Sequence, residues 1–204
     1  ESGRITISRA SRQAEFPARF QLISAMNPCP CGYLGDSSRE CRCTTDQVRR
    51  YRAKLSGPLL DRIDMHVEVP RLPPEIMSSG SPSNEEKSRQ VRKRVVEARE
   101  RQLKRGGIAN SAMTTNQIDE FCKPDQTGAK LLCGAIEQLR LSARAYHRIL
   151  KIARTIAYIA NEERVRSPHA ADAKGYRRLG QPGSDWLLTT KSLAFFLSRF
   201  LLDA

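Results

Sequence analysis

At 204 residues the chain has room for one ordinary domain or two small ones, and with aromatic residues at only 6% its core must be mostly aliphatic. A surplus of 35 Lys+Arg over 22 Asp+Glu, net +13, favours a polyanionic partner: nucleic acid, nucleotide phosphate or an anionic membrane face. No segment is apolar for long enough to span a membrane, and the opening Glu1-Ser2-Gly3-Arg4 does not read as a signal peptide. With no initiator methionine, the sequence reads as a fragment or a trimmed chain. Six cysteines without a secretory signal point to a reducing, cytoplasmic setting, where clustered cysteines hold metal more often than they form disulfides.

Ile5-Thr6-Ile7-Ser8 is β-branched and predicts a strand. Phe20 to Met26 predicts a second, partly buried strand, stopped at Asn27-Pro28 because proline cannot continue the ladder. Residues 28–45 are rich in Cys, Gly, Pro, Ser and Asp and read as a loop, after which Thr45 or Asp46 caps a helix over Gln47 to Leu55. Gly57-Pro58 turns into Leu59-Leu60-Asp61-Arg62, and Met65 to Val69 alternates like a strand that ends at Pro70. The Pro/Ser/Gly-rich stretch 70–84 reads as an exposed hinge.

Beyond the hinge the period becomes helical. Glu85 to Lys104 predicts a highly charged helix with Val91, Val95 and Ala98 on one side. Thr114 or Thr115 caps a helix to Phe121, and Pro124 opens another to about Leu139. The clearest helix has Ser142 as its cap. Tyr146, Ile149, Leu150, Ala153, Ile156, Ala157 and Ala160 share one face, and Arg144, Arg148, Lys151 and Thr155 the other. Pro168 starts a last helix, His169 to Leu179. The division expected is 1–70 strand-bearing, 71–84 linker, 85–180 all-helical, and 181–204 an atypical apolar tail. In that tail Leu193, Phe196, Phe200 and Leu201 fit one amphipathic face.

Cys29-x-Cys31 and Cys41-x-Cys43 place four soft thiolates in one loop, a set that suits tetrahedral structural zinc, although the pairs are tighter than the usual C-x₂-C. Free thiols and labile disulfides are the alternatives. Cys122 and Cys133, alone in helical sequence, read as small buried hydrophobes.

Five stretches carry a family resemblance: Ile5 to Arg9, Phe16-Pro17-Ala18-Arg19-Phe20, Ala25-Met26-Asn27-Pro28-Cys29-Pro30-Cys31-Gly32, Gly57-Pro58-Leu59-Leu60-Asp61-Arg62-Ile63-Asp64 and Leu141-Ser142-Ala143-Arg144-Ala145-Tyr146. Together they resemble the magnesium-chelatase-like AAA+ ATPases over about residues 1–180, and the cysteine loop narrows the likeness to the ComM/YifB branch. The resemblance implies the C-terminal part of an AAA+ α/β core followed by a helical lid. It implies that Asn27 is the sensor-1 amide, holding the attacking water near the γ-phosphate. It implies that Arg62 is an arginine finger reaching the ATP of a neighbouring subunit, with Asp61 positioning it. It implies that Arg144 is sensor 2, in the first turn of a helix whose N-terminus favours phosphate.

The sequence holds no G-x-x-x-x-G-K-[ST] loop and no apolar strand ending in Asp-Glu, so by the family mechanism it does not hydrolyse ATP alone. In the family both lie upstream of this region. The leading expectation is a homo-hexameric motor that uses ATP and Mg2+ to move branched DNA during recombination and natural transformation. Arg89, Arg92, Lys93, Arg94, Arg99, Arg101, Lys104 and Arg105 are candidates for phosphate contacts. Two other readings stand beside it: the motor subunit of a metal chelatase, and a non-enzymatic, zinc-stabilised nucleic-acid-binding module.

Overall fold

A computed structural model describes residues 3–9, 12–36, 38–69, 86–139 and 141–177. Among them are seven α-helices and one two-stranded sheet, a mixed α/β chain dominated by helix. The hinge expected over 70–84 and the tail after 180 lie outside the described residues.

Strands β1 (Arg4–Arg9) and β2 (Arg12–Pro17) form an antiparallel hairpin in which Ile5 faces Phe16 and Ile7 faces Ala14. The Arg4–Glu15 ion pair, at 2.8 Å, adds a cross-strand link. Both faces of the hairpin are exposed. β2 has no β-branched run, so its pairing comes from β1 rather than from its own composition.

The strand expected over Phe20 to Met26 does not form. The segment is irregular, with Phe20 74% and Ile23 68% exposed. A lone extended segment gains nothing from β-propensity unless a neighbour takes its N–H and C=O groups, and the only sheet among the described residues is the hairpin. Met65 to Val69 likewise forms no strand. Met65 and Val67 instead pack against the helical core, and the His66 N–H donates to the Tyr176 carbonyl at 2.9 Å.

Helix α1 (Thr45–Arg52) starts two residues earlier and ends three residues earlier than the expected span of Gln47 to Leu55. Its cap is Thr44, whose hydroxyl accepts from the Gln47 N–H while the Gln47 side chain accepts from the Thr44 N–H, a full capping box. Residues 57–62 are not a simple turn but a short helix, α2 (Gly57–Arg62). Ser56 caps it, and Pro58 sits in the first turn, where its missing N–H costs nothing.

The remaining helices build one core: α3 (Ser88–Gly106), α4 (Thr115–Phe121), α5 (Gln126–Leu139), α6 (Ala143–Ile159) and α7 (Ser167–Gly175). α3 ends in a left-handed cap at Gly107 (φ 70°) and α4 starts at a capping box on Thr114. α6 is the central element. Of its expected stripe, Ile149, Leu150, Ala153, Ile156 and Ala157 are buried, Tyr146 is half-buried and Ala160, past the helix end, is exposed; burial extends around the helix to Ile152, Arg154, Tyr158 and Ile159. Neighbours on several sides override the two-faced pattern read from the sequence.

Gly128 lets α5 approach the start of α7. A Cβ there would lie 2.9 Å from Asp125 Oδ1 and 3.4 Å from Ser167 Cα. Asp125 accepts from the Gly128 N–H at 2.7 Å and donates its own N–H to the Val165 carbonyl at 3.0 Å, closing that corner.

One further expectation is corrected. Cys122 is buried, and burial pushes its thiol up to about 11, but Cys133 is exposed on α5. Arg148 and Lys151, on the face read as opposite the apolar stripe, both have partners within the fold. Arg148 pairs with Asp64, and Lys151 Nζ donates to the Ser111 carbonyl at 3.0 Å.

Candidate functional site

The cysteine loop folds back on itself. A turn closes where the Gly32 N–H donates to the Cys29 carbonyl at 3.1 Å, and Gly32 takes φ +83°, a conformation that favours glycine. This puts Cys29 and Cys31 sulfurs 3.4 Å apart, with Cys41 at 3.6 Å from Cys29 and 3.5 Å from Cys31. Cys43 completes the group, all four sulfurs lying within 4.8 Å of one another. All four thiols are free. The spacings far exceed a disulfide bond of about 2.05 Å. They approach the edge of about 3.8 Å that a tetrahedron of about 2.3 Å Zn–S bonds requires.

Thiols this close do not ionise together. The Tyr33 backbone N–H holds Cys31 down to about 6, against the opposing effect of burial. At Cys41 a hydrogen bond from the Cys43 backbone acts downward, but burial and the sulfurs of Cys31 and Cys29 outweigh it and push the thiol up to about 12. Cys43 is also raised. A divalent cation removes this conflict by letting all four lose their protons. The donor set, the spacing and the closed fourfold arrangement fit a structural zinc ion held by Cys29, Cys31, Cys41 and Cys43. Arg52 at the end of α1 donates to the Pro28 carbonyl at 3.4 Å, so the helix braces the loop it follows.

Asn27 is exposed at the base of this loop, with its side chain beside Gly32. Arg62 is exposed at the end of α2 and donates to the Pro58 carbonyl at 3.2 Å. Arg144 is exposed in the first turn of α6. The structure brings the second and third of these regions together. Ser142, the cap of α6, accepts from the Ala145 N–H at 3.2 Å and donates to Asp61 Oδ2 at 3.1 Å. Asp61, adjacent to Arg62, is also 3.8 Å from the Arg177 guanidinium.

Sequence reasoning missed Arg177. It lies just past α7, only 4% exposed, donating to the Ile63 carbonyl and, at 3.4 Å, to the Asp61 carbonyl. Burial lowers its pKa and the Asp61 charge opposes this, and a guanidinium stays charged in either case. No local motif marks it, because its partners lie more than a hundred residues away in sequence. His66 was also unremarked. Burial first, then the Arg177 charge, lowers its pKa.

Fold and site define a helix-dominated α/β chain in which a four-cysteine loop precedes an arginine-bearing turn docked on a helical unit. Residues 1–77 match the family model for magnesium chelatase subunit ChlI, and residues 85–177 match the model for its C-terminal region. The competence protein ComM of Haemophilus influenzae is 45% identical over 180 residues, covering 88% of this chain and 35% of that protein. The uncharacterized protein YifB of Escherichia coli is 43% identical over the same share of each. The uncharacterized protein Rv2897c of Mycobacterium tuberculosis is 34% identical over 184 residues, 88% of this chain and 36% of that protein. The chain belongs to the magnesium-chelatase-like family, in its ComM/YifB branch. It spans about a third of the length of these relatives.

Proposed function

We propose that this chain is part of a homo-hexameric AAA+ ATPase that couples ATP hydrolysis to the remodelling of DNA in competence, as a branch-migration helicase. In this reading Asn27 is sensor 1, Arg62 the arginine finger offered to the neighbouring subunit, and Arg144 sensor 2. Residues 1–70 belong to the ATPase core, 71–84 to a linker and 85–180 to its lid. The P-loop and the magnesium-binding carboxylates come from elsewhere in the assembly, since the sequence holds neither. Zinc on the four cysteines is structural.

The observation that carries the reading is the Asp61–Ser142 hydrogen bond, which joins the turn bearing Arg62 to the helix start bearing Arg144. A motor needs those two arginines in register with nucleotide, and a guanidinium at each stabilises phosphoryl charge. The DNA partner is supported by the net charge of +13 and by a relative named for competence. The basic helix α3 offers fewer outward cations than its sequence suggests. Arg94 is half-buried against Glu86, Arg101 against Asn161, and Arg105 against Asn110 and the Phe121 ring. Arg89, Arg92, Lys93, Arg99 and Lys104 are exposed and remain the phosphate-contact candidates.

The test is ATP turnover by the assembly completed with its P-loop-bearing segment. Arg62→Ala is expected to lower kcat by about 10³-fold while leaving nucleotide affinity near wild type. Undiminished turnover removes the finger assignment. The matched family models are named for magnesium chelatase, which favours a chelatase motor as the second reading. Salt-sensitive binding of the completed assembly to branched DNA separates the two, because a chelatase motor has no need of it. Salt-sensitive DNA binding without any turnover supports the non-enzymatic module instead.

A further inference from the structure

We infer that Arg177 is a positioning residue for Arg62: it grips the backbone on both sides of that arginine and fixes the direction in which it is presented. The inference rests on the reading of Arg62 as the finger. The Arg177 guanidinium donates to the carbonyls of Asp61 and Ile63, the two residues that flank Arg62, and lies beside the Asp61 carboxylate. One buried cation thus faces three oxygens at the C-terminal end of α2, two of them carbonyls that accept its hydrogen bonds. A planar fork of five donors suits this task better than any other side chain.

Two more ties make the grip rigid. Asp64 pairs with Arg148 on α6, and the His66 N–H donates to the carbonyl of Tyr176, the residue before Arg177. With the Asp61–Ser142 bond, residues 61–66 are fastened to both α6 and the end of α7. Arg62 itself is left outside the clamp, exposed, its guanidinium donating to the Pro58 carbonyl of its own helix. Arg144 rides on the same α6 that receives Asp61 and Asp64. The arginine that senses a subunit's own nucleotide and the arginine offered to its neighbour therefore share one rigid body. Movement of the helical unit on ATP binding moves the finger with it, which is a direct physical route for one active site to report to the next.

The test uses the complete hexameric protein and mixed assemblies. Arg177→Ala is expected to lower kcat roughly 10- to 100-fold with nucleotide affinity little changed, the cost of a misaimed catalytic group. Mixed one-to-one with subunits whose P-loop lysine is disabled, the Arg177→Ala subunits should recover roughly a quarter of wild-type turnover. That is the share of head-to-tail interfaces joining an intact nucleotide site to an intact finger. A role confined to the subunit's own lid would give no recovery, and that result overturns the inference. Arg62→Ala run in the same mixture keeps the two claims apart. Recovery by Arg62→Ala but not by Arg177→Ala leaves the finger standing and removes the clamp, whereas no recovery by Arg62→Ala removes the finger reading itself. If Arg177→Ala does not fold, Arg177→Lys takes its place, keeping the charge but losing the fork that reaches both carbonyls, with a smaller kcat loss and the same recovery of the lost part in mixed assemblies expected; unchanged kcat there overturns the inference.

Discussion

Residues 3–69 contain one buried apolar side chain among the described residues, Cys29, whereas residues 86–177 hold Val91, Leu132, Ile149 and the rest of the core. The helical region is held in the ordinary way, by aliphatic burial around α6. The first region has no such centre. Its order comes from a hairpin, a four-sulfur knot and the ties of residues 61–67 onto the other region's core. A segment too thin to exclude water needs a metal, a covalent link or a borrowed surface, and here four cysteines placed to hold the first and contacts that supply the third are both at hand.

The comparison breaks most sharply at the cysteines. Chelation of zinc, or Cys29→Ser, is expected to unfold residues 28–45 and release the metal while the thermal transition of the helical region stays in place. Metal analysis with hydrogen exchange of the loop amides checks this, and a loop equally protected without metal would mean that zinc has no structural part. The converse substitution is Ile149→Ala, at a site only 1% exposed. It should lower the stability of the helical region by about 2–5 kcal/mol, read by chemical denaturation, without releasing zinc. A matched loss of metal would show that the two regions unfold as one.

The smallest effect concerns the junction. His66 has its pKa lowered by burial and by Arg177, while the Leu60 backbone and Asp61 oppose the shift. The folded form therefore rejects a proton that the unfolded chain accepts below about 6.5. Stability from this site is complete above that value and is lost progressively as pH falls below it and through the lowered folded pKa. Protection of the amides of residues 61–67 from hydrogen exchange, measured relative to the intrinsic rate at each pH, should fall on acidification, and His66→Gln should flatten that dependence. Protection that does not change with pH in the wild type would remove His66 from the junction.

What the sequence made legible follows from how local each signal is. The caps Thr114 and Ser142 and the middle of the α6 stripe, Ile149 to Ala157, are short-range chemistry and lie where they were read. The cysteine knot was legible because thiols have few other reasons to cluster. Phe20 to Met26 was misread because a strand is defined by its neighbours, and β2 was missed for the same reason. Helix α2 was hidden behind Gly57-Pro58, a pair that opens helices as readily as turns. At the candidate site, residue types singled out Asp61, Arg62 and Arg144, but nothing nearby in the chain announced that Arg177, Arg148 and Ser142 would gather around that turn.

Ser142 shows how narrowly that gathering constrains the side chain allowed at one position. Its hydroxyl has a single proton, given to Asp61, and its oxygen takes the Ala145 N–H. Threonine could do both. Aspartate or asparagine would cap α6 as well as serine does, yet aspartate would set carboxylate against carboxylate at Asp61. A substitution that looks harmless to the helix would thus loosen one tie between the two regions, so tolerance at this position is set by residue 61 as well as by the helix it begins.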